Sequence, residues 1–244
     1  MIDIHCHLLP GIDDGPDDLE TALAMASMAL EDGIQHSIVT PHITPGRFEN
    51  QPHQIAQAFM QFRQHLLKAE LNLSTSFAAE LRVDPTVLTL ASSNRLPTLG
   101  TLNGQQIILL EMPHTNVPVG IEKLIRWLLQ RDIRPIIAHP ERNRDVWQSP
   151  QKLSPLVQLG CYFQITAGSL LGAFRRESYD RAIELLQQGL VSSIATDAHN
   201  LTTRPPKLSQ AVKKAANVVG EAKAKAMVID FPQSLLSSAR DGQL

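Results

Sequence analysis

The sequence has little cysteine and no long apolar run. Only Cys6 and Cys161 occur among its 244 residues, which excludes the disulfide framework of a small secreted domain and a Cys-x-x-Cys zinc site. No stretch of about 18 apolar residues is present, and the first residues lack the basic and apolar regions of a secretion signal. We therefore expect a chain that is not embedded in a membrane and that works in the reducing cytoplasm.

An excess of charge of one sign is also missing. The 22 lysines and arginines nearly balance the 24 aspartates and glutamates, and no basic block is available to bind a nucleic-acid backbone. We expect no nucleic-acid partner. The length favours a single domain over residues 1–244, and a domain of this size buries enough apolar surface to fold without a structural metal. Any metal is therefore expected to serve chemistry.

Short apolar runs alternate with stretches of helical periodicity along the chain. The apolar and β-branched runs predict strands at Ile2–His5, Ser37–Thr40, Thr75–Glu80, Gln106–Glu111, Pro135–His139, Cys161–Thr166 and Val191–Thr196. Apolar residues at helical spacing predict helices at Asp17–Asp32, Gln54–Leu71, Val119–Gln130, Tyr179–Gln188 and Lys207–Val228. This alternation is typical of an α/β fold with a parallel sheet. The periodicity alone leaves open a closed barrel and an open, doubly wound sheet.

Residues that can bind metal recur where the predicted strands end. The carboxyl ends of parallel strands meet at one edge, where α/β proteins gather their catalytic groups. The candidate metal ligands that we expect to meet there are His5, His7, His42, Glu80, Glu111, His139, Asp197 and His199. A single histidine of this kind is usually a packed or surface residue, but a set of this size predicts a metal centre.

Two local motifs contribute to this set. The segment His5-Cys6-His7 places two imidazoles on the same side of an extended strand, while Cys6 points away from them. Taken alone, such a pair is also compatible with coincidence. Asp13 and Asp14 follow on a loop, where one can coordinate a metal while the other stabilises a turn or a helix start. The pattern does not choose between these two aspartates.

The donor set indicates which ions the centre would bind. Imidazole and carboxylate ligands without thiolate suit manganese, iron, zinc, cobalt or magnesium. A catalytic ion commonly takes about three protein ligands, so the set predicts two or three divalent ions. A water shared between two ions would be a hydroxide nucleophile near neutral pH.

Arginines close to these ligands point to phosphate chemistry. Arg142 and Arg204 follow predicted ligands in sequence, and a guanidinium can bind two phosphate oxygens at once. Arg47 lies beside Phe48 on the loop after His42, where the pair could recognise an aryl phosphate. A surface ion pair is the alternative for Arg142 and Arg204, and an exposed loop is the alternative for Arg47 and Phe48.

The cysteines do not fit a thiol-based phosphatase. That chemistry needs a Cys-x5-Arg loop, but Ile12 and Ala167 stand at the arginine position after Cys6 and Cys161. Cys161 is expected to pack as a small apolar side chain. His114 lies close enough to the predicted centre to be either a proton donor or part of its rim.

The candidate ligands fall within motifs that occur together in a known family. The motifs occupy residues 3–15, 40–42, 79–80, 110–111, 137–142 and 196–199. With them the sequence resembles the polymerase and histidinol phosphatase (PHP) superfamily and, within it, the bacterial capsular-polysaccharide tyrosine phosphatases of the CpsB/CapC type. Glu111, where many superfamily members have histidine, favours this branch.

The resemblance implies a distorted (β/α)7 TIM-like barrel of the PHP type with a trinuclear, usually manganese-dependent centre. It assigns three ligand groups, namely His5, His7, Glu80 and Asp197, then Glu80, Glu111 and His139, then Asp14, His42 and His199. Asp14 is thereby favoured over Asp13. The resemblance also implies that Arg142 and Arg204 are catalytic residues that bind the phosphate. Arg47 matches the family least, so its predicted substrate binding depends on its loop position.

The implied reaction is hydrolysis of phosphotyrosine on the tail of a membrane tyrosine autokinase that regulates capsule or exopolysaccharide assembly. One alternative is a small-molecule phosphatase of the histidinol-phosphate type. An amidohydrolase is disfavoured by the Asp197-x-His199 motif and by the two arginines. A non-catalytic kinase-binding protein is disfavoured by the intact ligand set.

Overall fold

The computed structural model describes residues 1–237. The strands are β1 Ile2–Cys6, β2 His36–Val39, β3 His42–Ile43, β4 Ser74–Phe77, β5 Glu80–Arg82, β6 Gly100–Leu102, β7 Gln105–Glu111, β8 Ile133–Ala138, β9 Tyr162–Thr166 and β10 Ser193–Ala195. The α-helices are α1 Leu19–Glu31, α2 Pro52–Lys68, α3 Thr86–Ser92, α4 Ile121–Leu129, α5 Arg144–Gln148, α6 Ser154–Gln158, α7 Ala167–Leu170, α8 Arg176–Gln187, α9 Ser209–Val219, α10 Glu221–Ala226 and α11 Asp230–Ser237. Within this part of the chain, no helix combines the length and the apolar character of a membrane span.

The strands form two sheets that are almost wholly parallel. In the first sheet, β2 lies between β1 and β4. The second sheet has the order β10, β9, β8, β7, β5, β3, and β6 adds to it as an antiparallel neighbour of β7. Helices follow most of the strands in sequence, so the architecture is a mixed α/β fold with parallel sheets.

The predicted elements are found, with local corrections. Each of the seven predicted strands overlaps an observed one. The predicted strand Thr75–Glu80 is broken after Phe77, so Glu80 begins β5 instead of ending a strand. The predicted helix Lys207–Val228 is two helices, because Gly220 adopts φ 86° between α9 and α10 and interrupts the helical hydrogen bonding.

Alternation along β7 directs a carboxylate into the interior. Ile108 and Leu110 pack in the larger core, which includes many helical side chains, whereas Ile107 and Leu109 belong to a second core. Successive strand side chains point to opposite faces, so Glu111 continues the row of Ile107 and Leu109. Glu111 is 2% exposed, which places an ionisable group at the end of an apolar row.

Helix α11 closes the second core. Leu235 is fully buried there, and Phe231 stacks edge-to-face on Tyr162 of β9. Gly100 at the start of β6 lies against this helix so closely that a Cβ atom would overlap the Leu235 carbonyl oxygen. The glycine therefore permits the close approach of α11 to the sheet.

Candidate metal centre

Four ligand atoms form the first group, and they come from the end of β1, the start of β5 and the segment after β10. The Nε2 atoms of His5 and His7 lie 3.3 Å apart, and each lies 3.3–3.5 Å from Glu80 Oε2 and from Asp197 Oδ1. All four residues are buried. Ligands about 2.1 Å from one ion in tetrahedral directions are separated by about 3.4 Å, so this spacing fits a common divalent ion.

A second group lies beside the first. Asp14 Oδ1 is 3.3 Å from His42 Nε2 and 3.2 Å from His199 Nε2. His7 belongs to both groups, and within each group the ligand atoms lie within 4.8 Å of one another. Asp14 is exposed, whereas His42 and His199 are buried, so the group lies at the edge of the interior.

The third group contains Glu111 and His139. Glu111 Oε1 is 3.9 Å from His139 Nε2 and 3.7 Å from His114 Nδ1. Glu80 joins all three groups, because its Oε1 is 2.8 Å from His139 Nε2 while its Oε2 is 3.0 Å from His42 Nδ1. The structure thus brings the nine predicted ligands together and adds His114 to their edge.

Unpaired buried atoms provide a test of whether this constellation suits metal. Within residues 1–237, several buried ligand atoms have no hydrogen-bond partner, namely His42 Nδ1, Glu80 Oε2, Glu111 Oε2, Asp197 Oδ1 and His199 Nε2. Leaving buried polar atoms unpaired is costly. Apart from Glu111 Oε2, which faces Arg82, each of these atoms lies 3.0–3.3 Å from another candidate ligand atom. A divalent cation satisfies the lone pairs of such atoms, so the residues fit metal ions.

Outer contacts orient the ligating imidazoles. His5 Nδ1 lies 2.9 Å from the side-chain oxygen of Gln164. His7 Nδ1 lies 2.6 Å from Asp13 Oδ2, which also accepts the backbone N–H of His42. Such partners fix the ring orientation and leave Nε2 free for an ion. Asp13 therefore acts beside the centre, while Asp14 lies within it.

Left-handed backbone at two ligands aims their side chains. His139 follows β8 with φ 31°, and Asp197 follows β10 with φ 51°. This conformation is unfavourable for residues other than glycine and is found preferentially at functional sites. The turn at His139 leads directly into a 3-10 helix over Pro140–Arg142, which returns Arg142 to the centre.

Arginines neutralise the carboxylates around the cavity. Arg142 and Arg204 both bind Asp197 Oδ2, the latter at 2.5 Å. Arg82 lies 3.2 Å from Glu111 Oε2 and also donates to the carbonyl oxygen of Met112. Arg82 was not predicted, although it lies two residues after Glu80 and alternation places both on one face of β5.

Arg47 is the outermost of the predicted arginines. Its side chain is 63% exposed and lies 3.3 Å from Asp14. Its guanidinium also lies 4.8 Å from the centre of the Phe48 ring, which stacks on His42 at 5.3 Å. The predicted basic and aromatic pair is therefore at the cavity wall, with Arg47 at the solvent side.

Burial and charge set the ionisation of the central groups. Burial, and then the negative charge of Glu80, raises the pKa of Glu111 to about 8. Burial, and then the positive charge of Arg142, lowers the pKa of His139 to about 3. Arg204 and His5 outweigh burial at Asp197 and hold its pKa well below the usual range. His139 and Asp197 are thus in the states that metal ligands require, a neutral imidazole and an ionised carboxylate, whereas Glu111 must release its proton to bind an ion.

Neither cysteine is placed for catalysis. Cys6 is fully buried, and its Sγ donates a hydrogen bond at 3.6 Å to the carbonyl oxygen of Ile38. Burial raises the pKa of Cys6 well above its usual value and that of Cys161 to about 12. Both thiols are thus protonated at neutral pH and are poor nucleophiles.

Comparison with known proteins identifies the family. The profile of the family described as "Capsular polysaccharide synthesis, CpsB/CapC" matches residues 1–237. The chain belongs to the CpsB/CapC family. Among its relatives, the tyrosine-protein phosphatase YwqE of Bacillus subtilis is 37% identical over 204 residues, covering 84% of this chain and 79% of YwqE. The tyrosine-protein phosphatase CpsB of Streptococcus pneumoniae is 31% identical, covering 97% of this chain and 98% of CpsB.

Solved structures agree with this membership of the CpsB/CapC family. A structure from a study of YwqE and CpsB, described as "unique metal-dependent tyrosine phosphatases", superposes with a TM-score of 0.89 at 34% identity and covers 98% of this chain and 95% of its own. The lactonase Lmo2620 of Listeria monocytogenes superposes at 0.64 with 13% identity, covering 97% and 94% of the two chains. The second similarity shows a shared fold alone.

Proposed function

We propose that this CpsB/CapC-family chain is a metal-dependent protein-tyrosine phosphatase and that it works in the cytoplasm. The observation that carries the proposal is one carboxylate, Glu80, in contact with three groups of metal-ligand atoms, beside arginines suited to phosphate. We infer the specificity for phosphotyrosine from the relatives, since YwqE and CpsB are both tyrosine-protein phosphatases.

The nine predicted ligands would hold two or three ions, and manganese suits their oxygen and nitrogen donors. In our assignment, His5, His7, Glu80 and Asp197 hold one ion, Glu80, Glu111 and His139 a second, and Asp14, His42 and His199 a third. When bound, the ions supply an activated water and neutralise charge on the phosphate. Gln164 and Asp13 keep the Nε2 atoms of His5 and His7 directed into the centre.

Arg142 and Arg204 are proposed as the catalytic arginines. Both converge on Asp197 Oδ2 and both line the cavity. A phosphoryl group entering the cavity would receive hydrogen bonds from their remaining N–H groups, which stabilise the charge on the equatorial oxygens in the transition state. Arg47 is proposed to contact the substrate at the mouth of the cavity, where its exposed side chain lies next to Phe48.

We propose that the parallel strands close into one distorted seven-unit barrel that makes up a single domain over residues 1–244. Bridge pairing of Cys6 with Ala198 and a hydrogen bond from Asp197 N to His5 O connect β1 to the end of β10. At the other edge of the first sheet, β2 pairs in parallel with β4. Shortly after β2 and β4 in the chain come β3 and β5, which pair in parallel within the second sheet. These links support closure of the ring of strands.

The proposed substrate is the phosphotyrosine-containing tail of a membrane tyrosine kinase of polysaccharide export. The family description, which concerns capsular polysaccharide synthesis, supports this context. A phenolate leaving group has a pKa of about 10, so its departure does not require a strong general acid. This agrees with a cavity whose histidines are, apart from His114, all candidate ligands.

Metal analysis combined with peptide hydrolysis tests the proposal. Protein purified without chelator should contain two or three divalent ions and should hydrolyse a phosphotyrosyl peptide. Removal of the ions should abolish the hydrolysis, and manganese should restore it. Activity that survives complete metal removal would exclude the proposed chemistry, and much faster turnover of histidinol phosphate would assign the chain to small-molecule phosphatases instead.

A further inference from the structure

A second pocket lies directly behind one wall of the candidate metal centre. This Phe174 pocket has a volume of about 460 Å³ and is lined by Leu170, Leu171, Phe174, Arg176, Tyr179 and Lys214. The pocket neighbours the catalytic cavity, because Phe174 of the pocket lies 4.4 Å, from ring centre to guanidinium carbon, from Arg142 of the cavity. This closeness raises the question of whether one polypeptide can occupy both the cavity and the pocket.

The Phe174 pocket combines apolar walls with positive charge. Leu171 is 45% exposed at its edge. Arg176 is paired with Asp180 at 2.8 Å. By contrast, Lys214 lies over the Tyr179 ring, with its Nζ 5.2 Å from the ring centre, and no carboxylate of residues 1–237 comes within 4.0 Å of it. Lys214 is thus an uncompensated cation beside an aromatic face.

We propose that the Phe174 pocket binds an aspartate or glutamate side chain of the substrate polypeptide that lies close to its phosphotyrosine. The inference rests on the proposed phosphatase function, because the phosphotyrosine brings this side chain to the pocket. Lys214 attracts the carboxylate, and the leucine and aromatic side chains accept its methylene groups. The site would select acidic peptides over small aryl phosphates, to which the pocket contributes nothing.

Matched phosphotyrosyl peptides test this selection. Each peptide carries two aspartates either before or after the phosphotyrosine, and its partner carries asparagine at the same positions. For one of the two positions, before or after the phosphotyrosine, we expect the aspartate peptide to have about three-fold higher kcat/KM than its asparagine partner, since a partly exposed ion pair is modest in strength. The difference should arise from a lower KM. The preference should fall at high salt because exposed charges are screened.

Lysine variants identify the residue responsible. Lys214→Met should remove the preference for aspartate, and Lys214→Glu should reverse it. Lys213→Met is the matched control, because Lys213 is the neighbouring, exposed lysine of the same helix, and this variant should keep the preference. Hydrolysis of 4-nitrophenyl phosphate by each preparation reports the state of the metal centre itself.

The results separate the pocket from the proposed function. Equal kcat/KM for aspartate and asparagine peptides, with good hydrolysis of both, would overturn the pocket assignment and leave the phosphatase function standing. A wild-type protein that hydrolyses no phosphotyrosyl peptide would overturn both. A dimer in sedimentation that Lys214→Glu dissociates, together with equal peptide rates, would assign the pocket to a second copy of the chain and would also overturn the proposal.

Discussion

The thiols show how burial decides the chemistry that a residue can perform. Cys6 lies one residue from two candidate ligands, yet its side chain packs on the opposite side among apolar residues. Its raised pKa and that of Cys161, about 12, keep both thiols protonated over the usual assay range, because a pKa above the ambient pH favours the neutral form.

We therefore expect Cys6→Ser and Cys161→Ser to retain kcat within about two-fold, and iodoacetamide to leave the folded wild type active at pH 7–9. Rates per folded molecule, measured on a phosphotyrosyl peptide, check this expectation. Loss of activity in either serine variant without loss of folding, or inactivation by the alkylating reagent, would indicate a thiol mechanism.

Arg82 illustrates the support that a ligand receives from outside the metal centre. Its guanidinium is 3.2 Å from Glu111 Oε2, and its attraction opposes the rise in the pKa of that carboxyl. Arg82→Met should therefore raise the pKa of Glu111 further and weaken metal binding or activity by about 10-fold, as is common for partners of metal ligands.

Manganese titrations of Arg82→Met at two pH values measure this effect. The loss of affinity should be larger at the lower pH, because a larger fraction of Glu111 is then protonated and must lose its proton before an ion binds. Arg95→Met is the matched control, since Arg95 is exposed and donates to Ser93 Oγ instead of a ligand, and this variant should change metal affinity little. Equal manganese affinities for Arg82→Met and the wild type would show that Arg82 has no influence on the ligand.

At the scale of the elements, most strands could be predicted from sequence because they are short apolar runs bounded by turn residues. The two-residue β3 and the three-residue β6 are too short to give a periodic signal. The break between Phe77 and Glu80 falls within a continuous run of suitable residues, so nothing in the local pattern indicated it.

The candidate ligands were predictable for a related reason. Most of them lie at or just beyond the end of a predicted strand, and parallel topology brings such positions to one edge. Asp14 lies instead on a loop, and in the structure His42 and Glu80 begin β3 and β5. The supporting contacts were not predictable, because Gln164 is 159 residues from the His5 that it contacts and no spacing connects them. Asp13 was identified only as an alternative to Asp14, since a two-residue acidic motif does not show which carboxylate faces the ion.

The contact between β6 and α11 gives a prediction about packing. Gly100→Ala should be strongly destabilising, by roughly 2–4 kcal/mol, because the new methyl group overlaps the backbone of α11. Gly104→Ala is the matched control, since Gly104 also has positive φ but has no atom within 4 Å of the added Cβ. Both variants place alanine at a positive φ, but only Gly100→Ala adds a steric overlap. The difference between their free energies of unfolding, measured in urea, therefore reports the overlap. Similar stabilities for the two would show that α11 moves away at little cost.

The buried carboxyl of Glu141 connects the 3-10 helix containing Arg142 to α7. Its Oε1 accepts hydrogen bonds from Thr166 N at 2.9 Å and from Ser169 Oγ at 2.7 Å, and burial raises its pKa from 4.5 to about 7. The folded state thus binds the proton more tightly than the unfolded state, so wild-type stability falls as the pH rises through this interval.

Glutamine at position 141 cannot ionise, so the Glu141→Gln variant does not share the wild type's loss of stability. Its free energy of unfolding should therefore increase relative to that of the wild type as the pH rises from 4.5 to 7. The gain is at most about 3 kcal/mol. Urea unfolding in chelator at several pH values measures the difference between the two proteins. A difference independent of pH would mean that Glu141 does not change its ionisation in this interval.

For the whole molecule, bound ions should act as crosslinks between distant parts of the chain. Ions that bind the folded state alone stabilise it by about 2.7 kcal/mol at a concentration 100 times Kd, or roughly 5–10 °C for a domain of this size. We expect chelator to lower the thermal midpoint by this amount and manganese to restore it. Glu80→Gln should reduce the shift strongly because Glu80 contacts all three ligand groups, whereas Lys213→Met should not. An unchanged midpoint on chelation would contradict bound ions.

The ligands extend from His5 near one end of the chain to His199, and the first group alone already joins residues from β1, β5 and the segment after β10. During synthesis on a ribosome, the ion-binding constellation cannot be completed until residue 199 has emerged and folded. A fragment that begins after residue 5 or ends before residue 199 lacks at least one donor, so catalysis would report the integrity of most of the polypeptide.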